Sequence, residues 1–162
     1  MPLTAEDIAA LIDEHAAPLR LWLAGRCASP EDAVQEAFTR LAIQPQRPDR
    51  PAAWLYRVAR NLADKQRLAD QRRARREAAR ATPEAIEPNL AAGLEQAEAL
   101  AAVAALADEL REVLVARIWG AMTLDEIGRL CGVSAATALR RYETALEQIR
   151  QRLDEPCKTR PH

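Results

Sequence analysis

The chain has 162 residues, a formal net charge of -1, 49% hydrophobic and 29% charged residues, and only five glycines. Rich in Ala, Leu, Arg and Glu and without sustained apolar-polar alternation, it excludes a strand-based fold and predicts an all-α one. No apolar run approaches the ~18–20 residues of a membrane span, and residues 1–20 lack the basic start and apolar centre of a signal peptide, so the cytoplasm is the expected compartment.

Charge is unevenly distributed. Residues 1–46 carry seven acids against three bases, residues 47–80 four acids against eleven bases, and residues 81–112 seven acids against one base. A basic block between two acidic ones predicts either a solvated helix end or a polyanion-binding surface whose affinity comes from counterion release.

The first periodic segment, about Ala5 to Ala24, places Ile8, Leu11, Ile12, Leu19 and Leu23 at helical intervals. Pro18 is expected to bend or break it, and His15 to be a surface or partly packed residue. Ser29 is then read as the N-cap of a second helix, with Pro30 at its first position and Glu31 and Asp32 in its first turn, where acids suit the macrodipole. In "SPEDAVQEAFTRL", Val34, Phe38 and Leu41 face a core, leaving Asp32, Gln35, Glu36 and Arg40 on the polar side. Taken alone, that side is most economically a solvated face.

"QPQRPDRP", Gln44 to Pro51, ends the helix with three prolines, and a third helix begins near Ala52. In "WLYRVARNLADKQRL" Leu55, Val58, Ala59 and Leu62 form one face and Arg57, Arg60, Asn61, Asp64 and Lys65 the other. The following "RLADQRRARREAAR" loses apolar periodicity and is expected to fray. Residues 81–93, "ATPEAIEPNLAAG", read as a linker able to span about 45 Å when extended.

Helical segments are expected near 94–106 and 108–119. Thr123 with Glu126 then forms a capping box for a short helix, Leu124 to Cys131. Gly132 and Val133 supply a tight turn, and Ser134 caps a longer helix ending near Leu153. Ala138, Tyr142, Ala145, Leu146, Ile149 and Leu153 face inward; Ala136, Thr137, Arg140, Arg141 and Thr144 face outward. This is a helix-turn-helix pattern able to deliver the start of its second helix to a major groove; a plain helical hairpin with arginines for solubility is the simpler alternative.

The three cysteines, Cys27, Cys131 and Cys157, are odd in number and widely separated, and neither they nor His15 and His162 show ligand spacing. No disulfide, metal or cofactor is expected. Cys131 reads as core. Paired carboxylates lie at helix caps, and no nucleophile constellation is present, so no catalytic residue is assigned and the chain is not expected to be an enzyme.

In this order the motifs resemble the extracytoplasmic-function (ECF) family of bacterial RNA polymerase sigma factors, over roughly residues 5–153. "EDAVQEAFTRL" is similar to region 2.2, "RPAAWLYRVARNLADKQRL" to regions 2.3 and 2.4, and "LADELREVLVARIWGAMTLDEIGRLCGVSAATALRRYETALEQIRQRL" to region 4. The resemblance implies two small helical domains: region 2 at 1–80, a linker at 81–93, region 4 at 94–153, and a tail without order at 154–162. It places the clamp helices of the largest polymerase subunit on Asp32, Gln35, Glu36 and Arg40. It assigns melting and capture of the promoter -10 element to the Gln44–Pro51 loop and the helix after it. There Asn61 matches a -10 contact, Arg57, Arg60 and Lys65 are candidate phosphate clamps, and Trp54 and Tyr56 either stack on bases or pack under the loop.

Region 4 then leans on the polymerase flap and sets Ser134, Ala136, Thr137, Arg140 and Arg141 at the -35 major groove. Ala135, Ala138 and Leu139 depart from the family pattern and remove a lysine contact. The implied partners are core polymerase, promoter DNA and, as in many relatives, an anti-sigma factor; no small-molecule substrate is implied. The competing reading is a helix-turn-helix regulator acting on duplex DNA without polymerase.

Overall fold

The computed structural model describes residues 1–76 and 94–154. The expected linker at 81–93, most of the expected tail, Cys157 and His162 lie outside the described residues. The chain divides into two compact units, Met1–Asn89 and Leu90–His162.

Unit 1 packs three helices, α1 (Ala5–Leu23), α2 (Pro30–Ala42) and α3 (Pro51–Arg76). Helix α1 starts at a capping box: the Asp7 amide donates to Thr4 Oγ1 at 3.1 Å, and the Thr4 amide donates to Asp7 Oδ2 at 2.9 Å. That bond from the Thr4 backbone holds the Asp7 carboxyl below its usual pKa. Contrary to expectation, Pro18 does not break α1. It forfeits one backbone hydrogen bond, but Leu19, Leu21, Trp22 and Leu23 are buried just beyond it, and their packing outweighs the local defect. Ser29 occupies the N-cap position of α2 without making a side-chain capping bond. Val34, Ala37, Phe38 and Leu41 bury the inner face of α2 as the periodicity predicts.

Of the segment expected to fray, residues 67–76 are helical, α3 running to Arg76, and residues 77–80 lie outside the described residues. The last buried residue of α3 is Ala63, so intrinsic propensity carries the distal part: Leu68–Arg76 contains only good or tolerable helix formers, and the arginines of its last turn suit the macrodipole.

Unit 2 packs α4 (Leu94–Ala104), α5 (Asp108–Ile118) and α6 (Leu124–Cys131) around α7 (Ala135–Asp154). Buried Arg111 closes the α4–α5 connection by donating from Nη1 to the Ala104 and Leu106 carbonyls, each at 3.2 Å, while Nη2 meets Asp108. A buried arginine is tolerable here because its donors are used on carbonyls that the helix end leaves unpaired. Leu153, expected inside, is exposed, and Cys131 is half-buried rather than core.

Candidate nucleic-acid and polymerase interfaces

On α2 the side chains of Asp32, Gln35, Glu36 and Arg40 are exposed, opposite the buried stripe. Arg40 Nε donates to Glu36 Oε1 at 2.7 Å, one turn away, so this pair is neutralised within the helix. Gln35 also lines a groove of about 490 Å³ between α1 and α2, together with Ile8, Ile12, Val34 and Phe38. Ile12, one of the apolar residues at helical intervals on α1, is 40% exposed there. The polar face therefore borders an apolar trough.

The loop after α2 is fastened to the start of the chain. The Arg47 amide donates to the Met1 carbonyl at 3.2 Å, and its guanidinium lies 3.8 Å from Asp7. Helix α3 follows, and its expected -10 residues part company. Arg57, Asn61 and Lys65 are exposed and Trp54 is half-buried. Tyr56 is 0% exposed and packs in the core of unit 1. Its ring lies 4.8 Å from that of Trp22 and 6.0 Å, edge-on, from that of His15. His15 is thus buried, beyond the surface or partly packed position expected of it, and desolvation pushes its pKa below the ordinary value of 6.5.

Arg60 is largely covered and sits 3.9 Å from Asp64, whose other oxygen accepts from Arg26 Nη1 at 3.2 Å. As a phosphate clamp Arg60 is thus already engaged: its charge serves an Arg26–Asp64–Arg60 bridge that ties the α1–α2 connection to α3.

In unit 2 the turn forms as its residues require. Thr123 and Glu126 complete the capping box, with the Glu126 amide donating to Thr123 Oγ1 at 3.2 Å and the Thr123 amide to Glu126 Oε2 at 2.8 Å. Gly132 adopts φ 70°, a left-handed conformation that favours glycine. The Thr137 amide donates to Ser134 Oγ at 3.1 Å, capping α7. A Cβ on Gly128 would stand 2.7 Å from the Val133 carbonyl oxygen, so its absence lets α6 press against the start of α7.

Around α7, Ala136, Arg140 and Thr144 are exposed and Thr137 and Arg141 half-buried. Arg140 Nη2 donates to Thr137 Oγ1 at 3.2 Å. Arg141 leaves this face: its Nη2 lies 2.6 Å from Glu109 Oε2 on α5. The sequence reading missed that anchor, as it missed Arg111, Gly128 and the Thr4 cap. Only Thr4 followed by Asp7 was a legible local signal.

Known families account for both units. The sigma-70 region 2 family matches residues 11–76 and the sigma-70 region 4 family residues 102–151. The chain belongs to the sigma-70 family, in the ECF layout of region 2 followed by region 4; it is a sigma factor that directs RNA polymerase to promoters.

In fold it is similar to the sigma factor RpoE from Bartonella quintana, solved in complex with the anti-sigma factor NepR. The TM-score is 0.57 at 17% identity, over 93% of this chain and 96% of that chain. A search of curated protein sequences finds no significant match. Among the described residues, no helix is long and apolar enough to cross a membrane, and no cluster of ligating side chains could hold a metal ion.

Proposed function

We propose that residues 1–80 carry the polymerase-docking and -10 functions and residues 94–153 the -35 function, with 81–93 joining them. Asp32, Gln35 and Glu36 meet the clamp helices, with the neighbouring apolar trough adding contact area. Trp54, Arg57, Asn61 and Lys65 hold the -10 strand from the exposed side of α3. Ser134, Ala136, Thr137 and Arg140 enter the -35 major groove, and Arg141 acts from behind by fixing α7 to α5.

The observation that carries this reading is the occurrence of both matched regions, in order, in one chain. No covalent step is required. Holding bases out of the stack needs surfaces and charge, so the chain works in the cytoplasm as a binding subunit and not as an enzyme. The structural neighbour was solved with an anti-sigma factor, which supports the same kind of partner here.

Gel filtration with core polymerase, followed by transcription in vitro from a genomic promoter library, tests the reading. Co-elution and promoter-dependent transcripts are expected. DNA binding without co-elution would favour the regulator instead. Replacing Asp32, Gln35 and Glu36 together by Ala should weaken polymerase binding about tenfold or more, about 1.4 kcal/mol, with helix content unchanged. Undiminished binding would remove this face from the interface.

A further inference from the structure

The connection between α2 and α3, residues 43–50, contains no buried residue: Gln44 and Pro48 are half-buried and the rest are exposed. Core packing therefore does not place this loop. Pro45 and Pro48 stiffen it, and each also removes an amide donor. Its outside ties come from residues 1–7. The Gln44 amide bonds back to the Leu41 carbonyl at 3.2 Å, whereas the Arg47 amide crosses to the Met1 carbonyl, also at 3.2 Å. The Arg47 guanidinium stands 3.8 Å from Asp7 Oδ1.

Asp7 thus serves two elements at once. Its Oδ2 accepts from the Thr4 amide and from Thr4 Oγ1, both at 2.9 Å, which closes the cap of α1, while Oδ1 faces Arg47. The bonds from Thr4, and after them the charge of Arg47, keep this carboxyl below its usual pKa, so it is ionised and able to pair across the neutral range. Capping alone uses one oxygen, and an uncharged amide could supply it. The charge matters to the loop. Glu6, the other acid of that first turn, is exposed and makes no such contact among the described residues. A loop already held in its binding pose loses less conformational freedom when it closes on a target, so a tie of this kind bears on recognition as well as on folding.

We propose that Asp7 is a positioning residue for the α2–α3 loop: through Arg47 it fixes the pose in which the loop receives the -10 element, and so shapes which -10 sequences are opened. The inference rests on the sigma reading, in which this loop captures that element. Asp7 acts through Arg47 and needs no contact with DNA itself.

The experiment loads core polymerase with wild-type chain, D7N, R47Q, R47K, D7N/R47Q or E6Q. Open-complex formation is measured on a promoter that the wild type opens and on its single-base variants in the -10 and -35 elements. Asn keeps an acceptor for the Thr4 amide, thermal melting checks the fold, and co-elution checks docking.

D7N and R47Q should each slow opening about threefold, within the range of an exposed ion pair, and the double variant should lose no more than the larger single loss. Both should blunt discrimination among -10 variants to the same extent and leave discrimination among -35 variants unchanged. R47K, which keeps the charge, should match the wild type, and so should E6Q. Removing an acid near DNA would by itself favour binding, so the expected sign for D7N is opposite to a bulk charge effect.

Faster opening by D7N and E6Q alike would mean that net charge alone matters. Losses that multiply in the double variant would make Arg47 a contact in its own right. Slower opening with discrimination among -10 variants intact would reduce the pair to support of the fold. Each of these outcomes overturns the proposal. If the wild-type chain fails to co-elute or opens no promoter, the sigma reading fails and the positioning role falls with it. If the wild type opens promoters and D7N matches it, the positioning role alone fails.

Discussion

Helices α3 and α7 begin alike in sequence, each with arginines on a polar face, but they deploy them differently. On α3, Arg57, Lys65, Arg72 and Arg75 line one exposed side, and the nearest acid, Asp64, is bound by Arg26 and Arg60. On α7, exposed Arg140 shares its side with Glu143 and Glu147, and Arg141 is tied to Glu109. On the proposed reading, salt-dependent attraction to DNA is concentrated in unit 1. Unit 2 offers a shaped, nearly neutral helix, suited to base contact more than to phosphate attraction. The departure at Ala138–Leu139 points the same way, since it places no cation where a lysine is usual.

The largest expected break in this comparison comes from Gly128→Ala. The new methyl group meets backbone, which cannot swing aside, so unit 2 should lose about 3 kcal/mol, the upper end of overpacking costs. Thermal melting would show the loss. DNA attraction through α3 should persist, and its disappearance would mean that unit 2 carries more charge-driven binding than its surface suggests.

Arg140→Ala should cost promoter binding about 1–2 kcal/mol and reduce the salt slope by about one at most. A uniform loss across all sequences would make Arg140 a phosphate contact rather than a base reader.

Arg141→Ala and Glu109→Ala should each destabilise unit 2 by about 0.5–1 kcal/mol, with little further loss in the double variant and an unchanged salt slope. A slope reduced by about 0.9 would return Arg141 to the DNA.

The smallest effect separates the units by pH. Burial lowers the folded-state pKa of His15 below 6.5, against the weaker pull of Glu14, whose carboxylate lies 3.8 Å away. Above 6.5 both folded and unfolded histidines are neutral, and the group contributes nothing. As pH falls below 6.5 the unfolded state takes up the proton first, so unit 1 loses stability until the folded histidine also titrates. Denaturant melts of wild type and His15→Gln at falling pH should diverge in unit 1 and coincide in unit 2.

Much of the fold was legible because its signals are local. The Thr123–Glu126 box, the left-handed glycine at 132, the Ser134 cap and the buried stripe of α2 each lie within a turn or two of chain. The exposed faces of α2 and α7 were legible for the same reason. Less so were Pro18, where burial of four neighbouring residues overrode a local breaker, and the distal arm of α3, where propensity sufficed after packing ended.

The order of motifs in the sequence determined the family, the helical class and the two faces opposite the cores, since periodicity alone separates inside from outside. Only the tertiary structure decided which polar residues on those faces are available. Arg60 and Arg141 read from the chain as DNA contacts, yet one is engaged by Asp64 beside Arg26, 38 residues from it in sequence, and the other by Glu109. Tyr56 read as either stacking or packing and His15 as surface or partly packed, yet both are buried in the core of unit 1. A helical wheel gives the direction of a side chain but not what stands opposite it: Asp64 follows Arg60 by one turn on α3 itself, but Arg26 comes from the α1–α2 connection and Glu109 from α5.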